Sequence, residues 1–281
     1  MLYLPSIIAK MSANAGNERF ERGADHYASY LGTPEGRLRV DLALANLKEF
    51  LPRTRTPLHA LDLGCGSGAI SVRLVRLGLK VTLLDSSLPM LDFAKRAMRE
   101  AGVSDKIELI HGDAAQAAEL FHDQSFDVIV CHNVLEYIDD PNAVLRGAAR
   151  LLRDSSAMLS VMVRNQAGEV LKAAIQGGDL AAAEHNLTAE WGKESLYGGR
   201  VRLFTAEVLE AMLKAALLEV TVGRGVRVVS DYLPPQVSRS AEYDRILELE
   251  RKLGARPEFA AVARYTQYLA HCAGSVIEDG G

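Results

Sequence analysis

The run Leu58-His59-Ala60-Leu61-Asp62-Leu63 passes straight into Gly64-Cys65-Gly66-Ser67-Gly68, and this junction constrains the chain more than any other feature. An apolar run of strand length that stops at closely spaced glycines, followed by apolar positions from Ala69 to Leu77, predicts a buried strand, a tight turn and a helix. Glycine is required in such a turn because it tolerates positive φ and lets a ligand approach bare backbone. Asp85 ends the next apolar run, Lys80 to Leu84, about twenty residues after the first glycine. A carboxylate there can accept two hydrogen bonds from a ribose diol, so the pattern points to an adenosine-type cofactor across the carboxyl ends of the strands.

The rhythm continues beyond the turn. Leu88 to Ala101 reads as a helix, Lys106 to Ile110 and Phe126 to Cys131 as strands, Asn142 to Leu152 as a helix and Ala157 to Val163 as a fifth strand. Before the turn, Val40, Leu44, Leu47 and Leu51 make one helical stripe between Arg37 and Leu51. Strand and helix alternating at this spacing imply βαβ units, a parallel sheet and helices on both faces. Past Asn165 the rhythm breaks, and residues 166–200 read as a helical cap insertion over the strand ends. Strands return at Leu217 to Val222, Val226 to Val229 and Ala263 to His271, with a charged helix from Ser238 to Leu253 between them. The expected division is an N-terminal segment 1–36, a cofactor-binding core 37–165, the cap 166–200, a C-terminal part of the sheet 201–272 and a tail 273–281.

Cys65, Cys131 and Cys272 show no C-x-x-C spacing, which argues against a disulfide framework or a metal site and for the reducing cytoplasm. No apolar run reaches the length of a membrane span. The Met1–Lys10 stretch lacks a basic region before it and is too broken for a signal peptide. Met11 is an alternative start, with Ser12 to Asn17 as a loose polar terminus. A formal net charge of −4 argues against holding nucleic acid by bulk electrostatics, though not against a local basic surface.

Gly64, Gly66 and Ala69 also satisfy the G-x-G-x-x-A fingerprint of nicotinamide dinucleotide enzymes. Three features favour another cofactor. Asp62, two residues before the first glycine, would repel a pyrophosphate but suits an ammonium and a sulfonium. Asp113, in Ile110-His111-Gly112-Asp113-Ala114, ends the third strand within reach of an adenine amino group. Phe126-Asp127-Val128-Ile129-Val130-Cys131-His132-Asn133-Val134-Leu135-Glu136-Tyr137 completes the series. In this order the motifs resemble those of class I methyltransferases, which implies a doubly wound, mostly parallel seven-stranded α/β sheet of Rossmann-like type and S-adenosylmethionine as cofactor.

Outside the core, Gly32-Thr33-Pro34-Glu35-Gly36-Arg37-Leu38-Arg39 and Gly225-Val226-Arg227-Val228-Val229-Ser230-Asp231-Tyr232-Leu233 resemble the bacterial tRNA 5-carboxymethoxyuridine methyltransferases. So do Ile246 to Glu250 and Ala263-Arg264-Tyr265. The likeness spans roughly residues 20–272 and implies methyl transfer to the carboxylate of a modified wobble uridine, with the tRNA anticodon region as partner. It carries cofactor contacts to Arg39, Gly64, Cys65, Asp85, Ala114 and His132. The chain departs from the family at Cys65, where a glycine is frequent, at Asp154-Ser155-Ser156, where Pro-Gly-Gly is usual, and in a longer, less basic insertion.

The candidate cofactor residues are therefore Arg39, Asp62, Gly64, Cys65, Gly66, Asp85, Asp113, Ala114 and His132. His132 is also the first base to test if the acceptor needs one; an ionised carboxylate does not. Arg164, Asn165, Arg224 and Arg227 are candidate substrate contacts. Plainer readings stand beside these: a solvated helix-start charge for Arg39, a structural histidine for His132 and His111, and edge-strand charges for Arg224 and Arg227. Trp191 is either a cover or stacking surface for the site or a hydrophobic anchor. Glu248, Glu250, Arg251 and Lys252 read as a solvated helical face. Two other functions remain open from the residues: methylation of a small metabolite beneath the cap, and a cofactor-binding interaction protein without catalysis.

Overall fold

The computed structural model describes residues 5–53, 57–194, 196 and 198–273, with side chains from Arg19 onward. Met1 to Leu4 and the tail beyond Ala273 lie outside the described residues.

Two helices lead in, α1 (Pro5–Gly32) and α2 (Pro34–Lys48). Thr33 separates them: its hydroxyl accepts from Gly36 N at 3.1 Å, and Pro34 supplies a preset φ at the first helical position. Next come β1 (His59–Leu63), α3 (Ala69–Arg76), β2 (Lys80–Asp85), α4 (Leu88–Glu100), β3 (Ile107–His111), α5 (Ala117–Leu120), β4 (Val128–His132), α6 (Pro141–Leu151) and β5 (Met158–Arg164). The chain then leaves the sheet through α7 (Gln166–Leu171), a π-helical turn, α8 (Leu180–Asn186) and the hairpin β6 (Trp191–Lys193) and β7 (Arg200–Arg202). It returns through α9 (Ala206–Ala215), β8 (Leu218–Val226), α10 (Tyr243–Gly254), α11 (Pro257–Ala260) and β9 (Tyr265–Cys272).

The seven-stranded sheet has the order β3-β2-β1-β4-β5-β9-β8, with β1 to β5 parallel and β9 antiparallel to both its neighbours. Side chains alternate along each strand and feed one core on each face. Leu61, Leu63, Ile129, Cys131, Leu159 and Val161 face α6 and α9, whereas Ala60, Val81, Leu83, Val128 and Val130 face α3 and α4. β1 lies between β2 and β4, so the strand order reverses there and a crevice opens at the carboxyl ends of β1 and β4. Among the described residues no helix is long and apolar enough to cross a membrane.

Three sequence expectations are corrected. Ser12 to Asn17 is no loose terminus: it lies within α1, where helix formers outnumber the interior Gly16 and Gly23 and Ala24 is buried. The two strands expected at 217–222 and 226–229 are one strand, β8, with a bulge between Val220 and Val222; Arg227, at φ 62°, then turns the chain away. Glu250 is no solvated charge. It is fully buried in α10 and accepts from Val228 N, Val229 N and Ser230 N at 2.5, 3.0 and 2.6 Å, holding the chain after that turn.

Candidate functional site

The glycine turn after β1 is pinned to β2, because Gly64 N and Cys65 N both donate to Leu84 O, at 2.8 and 3.0 Å. Gly64 has φ 66°, and a Cβ on it would sit 2.5 Å from Val134 Cγ2, so the turn packs directly on the loop after β4. Gly66, at φ 53°, faces Tyr27 of α1, and a Cβ there would come within 3.2 Å of that ring. The space over the turn is thus kept by residues without side chains.

Asp85, at the end of β2, braces the turn from the far side. Its Oδ2 accepts from Gly66 N at 2.7 Å and its Oδ1 from Ser87 N at 2.9 Å, leaving further lone pairs on both oxygens. Burial raises its pKa, and the backbone donors of Ser87 and Gly66 act against that rise. Gly64, Gly66, Asp85, Asp113, Ala114 and His132 all line one cavity of about 660 Å³ at the carboxyl ends of the strands. Asp113 also turns its own chain, accepting from Ala115 N at 2.9 Å.

His132 is fixed from below by a buried polar chain. Gln267 Nε2 donates to Ala43 O at 3.1 Å and to Ser160 Oγ at 2.9 Å, while Asn46 Nδ2 donates to Gln267 Oε1 at 2.9 Å. Ser160 Oγ lies 2.7 Å from His132 Nε2, its only acceptor among the described residues. The hydroxyl therefore gives its proton to Nε2, and the ring carries its own proton on Nδ1. Burial and then the Arg39 charge push the imidazole down to about 3. His132 is a neutral donor here, and the base role expected of it if one were needed does not suit this arrangement.

Three candidate cofactor residues stand behind the cavity wall. Asp62 is buried, receives a hydrogen bond from Ser71 of α3, and is pushed up to about 7 by burial and by Asp85. Cys65 is buried with its thiol pushed up. Arg39 is buried as well, so it is no solvated helix-start charge; it donates to Tyr27 Oη at 2.9 Å and stacks near Tyr30 and Tyr265.

The four expected substrate contacts lie away from the cavity wall. Arg164 pairs with Glu169 and Glu194 at 3.1 and 2.7 Å, and Arg227 with Asp231 and Tyr30. Asn165 caps α7 and donates to Ala261 O and Ala263 O, both at 2.9 Å. Arg224 sits on β8 against Glu49. A buried guanidinium needs a carboxylate, and these acids supply it, so such arginines are poor candidates for a free anion. With Arg264 and Arg39 they surround Tyr265; burial alone would raise that phenol, but the guanidiniums outweigh it and bring it to about 8.

The sequence reading missed much of the cavity's outer wall, Arg19, Phe20, Tyr27 and Tyr137, which Arg200 and Trp191 join there. The signal was present in the aromatic and charged run at residues 18–31, but α1 has to be folded over the strand ends before it means anything. Glu136, also on the wall, is buried; its Oε1 accepts from Asn133 Nδ2 and Arg164 N, while its Oε2 has no partner among the described residues. Burial raises its pKa first of all.

The methyltransferase-domain family matches residues 61–159. Over 247 residues the chain is 29% identical to the tRNA 5-carboxymethoxyuridine methyltransferase of Escherichia coli K12, covering 85% of this chain and 90% of that protein. The ubiquinone biosynthesis O-methyltransferase of Xanthomonas axonopodis pv. citri is 33% identical over 127 residues, 44% of this chain and 50% of that one. In fold, the CcbJ methyltransferase of Streptomyces caelestis superposes with a TM-score of 0.61 at 19% identity, covering 92% of this chain and 99% of that chain. A possible histamine N-methyltransferase from Thermotoga maritima gives 0.60 at 17% identity, with 91% and 99% coverage. With the glycine turn and Asp85 on one cavity at the reversal of strand order, the chain is an S-adenosylmethionine-dependent methyltransferase with a Rossmann-like sheet, its methyltransferase domain matched over residues 61–159.

Proposed function

We propose that the chain methylates the carboxylate of 5-carboxymethoxyuridine in tRNA, giving the methyl ester, in the cytoplasm. The observation that carries this reading is the reach of the likeness to the E. coli tRNA enzyme, which takes in 85% of the chain, whereas the O-methyltransferase likeness stops at 44%.

The cavity residues fit S-adenosylmethionine. Room over Gly64 and Gly66 exists only because neither has a Cβ, and Asp85 keeps lone pairs that suit a ribose diol. Asp113 and Ala114 offer an edge for adenine, and His132 Nδ1 offers a proton to a carboxylate. Asp62, Cys65 and Arg39 support the turn and Tyr27 from behind. When bound, S-adenosylmethionine supplies an activated methyl group: an acceptor lone pair forms the new bond to carbon while the carbon–sulfur pair leaves with sulfur, giving methylated acceptor and S-adenosylhomocysteine. The protein then has to position the acceptor and exclude water. An ionised carboxylate needs no base, in keeping with a His132 that has no free lone pair on its ring nitrogens.

Mass spectrometry of anticodon nucleosides, from cells with and without this protein, tests the reading; an unchanged methyl ester level refutes it. Asp139 and Asp140 on the outer wall and the net charge of −4 favour a second reading, a small metabolite as acceptor. Binding of a tRNA stem-loop falls steeply with salt because each neutralised phosphate releases counterions, whereas a metabolite with one or two charges responds weakly.

A further inference from the structure

The arginines of this fold divide into two groups. Arg164, Arg227 and Arg264 are buried and paired with Glu169, Glu194 and Asp231. Arg19 and Arg200, which line the cofactor cavity, have no carboxylate partner among the described residues. Each instead lies over aromatic rings. The Arg200 guanidinium sits 4.2 Å from the centre of the Trp191 ring, and that of Arg19 sits 4.9 and 4.8 Å from the centres of Phe20 and Tyr137. Arg19 Nε is shielded from solvent and has no acceptor among the described residues.

A guanidinium stacked on a ring uses its face and keeps its N–H donors in the plane, turned outward for a bidentate anion. The two arginines are neighbours, since Arg19 Nη1 donates to Arg200 O at 3.4 Å. Their supports are braced. Tyr137 Oη donates to Glu194 Oε2 at 2.8 Å, where Arg164 also donates, and Glu194 Oε1 holds Leu196 N at 2.7 Å inside the hairpin. The hairpin, α1 and the segment after β4 therefore present three rings, and two cations without a carboxylate partner among the described residues, to the mouth of the cavity whose floor is the glycine turn.

We propose that Arg19 and Arg200, with Trp191 and Tyr137, form the acceptor subsite, and that it takes a planar ring bearing a carboxylate. The arginines hold the carboxylate edge, and the aromatic and guanidinium faces take the ring. This deepens the function proposed above and rests on it only for which ring is bound. A carboxylate offers about four lone-pair sites, so one hydrogen bond from each of two guanidiniums leaves about two free, and one of these can accept the methyl group.

Trp191 is the chain's single tryptophan, so its emission reports on this subsite directly. The protein saturated with S-adenosylhomocysteine is titrated with 5-carboxymethoxyuridine, phenylacetate and 4-hydroxybenzoate, and with the methyl ester of each. The expected result is a saturable emission change with at least one acid, weaker by about tenfold or more for its ester and for Arg200→Gln and Arg19→Gln. Affinity for S-adenosylhomocysteine, measured by calorimetry, should stay within about twofold in both variants, which shows that they fold. Acid and ester binding alike, or variants matching the wild type, overturns the subsite. If the wild type methylates a carboxymethoxyuridine stem-loop while no acid perturbs Trp191, the subsite falls and the tRNA function stands. If phenylacetate or 4-hydroxybenzoate binds through the arginines and carboxymethoxyuridine does not, the subsite stands and the tRNA function falls.

Discussion

Replacing Asp62 by asparagine should stabilise the ligand-free protein, and increasingly so as pH rises. Asp62 is 2% exposed, and among the described residues its partner is the Ser71 hydroxyl, with no cation beside it. Burial is the main reason its pKa rises from 3.8 to about 7; the Ser71 bond opposes this and the Asp85 charge adds to it. The folded state thus keeps its proton up to about pH 7, while the unfolded chain loses it near 3.8. The favourable contribution is complete below about 3.8 and is lost as pH climbs through about 7. A carboxyl moved that far corresponds to about 4 kcal/mol, an order-of-magnitude figure. Asparagine keeps an oxygen for Ser71 and never ionises. Urea melts of wild type and Asp62→Asn at pH 5, 6, 7 and 8 measure the difference, and other titrating groups cancel in it. The variant's advantage should grow by about 2–3 kcal/mol from pH 5 to pH 8. A difference that stays flat with pH refutes the buried-charge argument, and one that shrinks reverses its sign.

Asp85→Ala should weaken S-adenosylhomocysteine binding by about ten- to a hundredfold or more in calorimetry, because a charge-assisted acceptor is lost; unchanged affinity removes Asp85 from the site. Gly64→Ala should cost about 2–5 kcal/mol in denaturant melts, combining a left-handed φ with the clash on Val134. Adding Val134→Ala should recover the clash part alone. The pH profile of methyl transfer should show no imidazole ionisation between pH 6 and 8, since burial and Arg39 hold His132 near 3; a break at that pH abolished by His132→Gln contradicts the neutral-donor assignment. Neither NAD nor NADP should raise the melting temperature, whereas S-adenosylhomocysteine at a hundredfold excess over its Kd should add about 2.7 kcal/mol of stability.

The five parallel strands and the cofactor turn were legible because each is local. A short apolar run, a glycine turn and a terminal carboxylate lie within about twenty residues of one another, and the order of these units carries the topology. β8 was misread because Gly223-Arg224-Gly225 looks like a break between two strands, whereas all three residues stay paired with β9, opposite Tyr268, Gln267 and Thr266. Glu250 was misread because a charge among charges looks solvated until the turn at Arg227 brings three backbone N–H groups down onto it.

The substrate side failed for a different physical reason. Arg164 and Arg227 stand in strand-end segments where a ligand arginine would be expected, and sequence position cannot tell a free guanidinium from a paired one. The acids that neutralise Arg164 lie 5 and 30 residues further on, at Glu169 and Glu194, and the second belongs to a hairpin reached only after two helices. Once those pairs form, the charge is spent internally, and removing one partner would strand the other in a low-dielectric interior. Arg19 and Arg200, which have no carboxylate partner among the described residues, sit on elements that must first fold over the sheet, α1 and the hairpin. A substitution at Arg227 or Arg164 should therefore lower stability, while one at Arg200 should leave the melting temperature within about a degree or two of the wild type, as expected for an exposed side chain outside such networks. If Arg200→Gln unfolds the protein as readily as Arg164→Gln does, the division between structural and ligand-facing arginines is wrong.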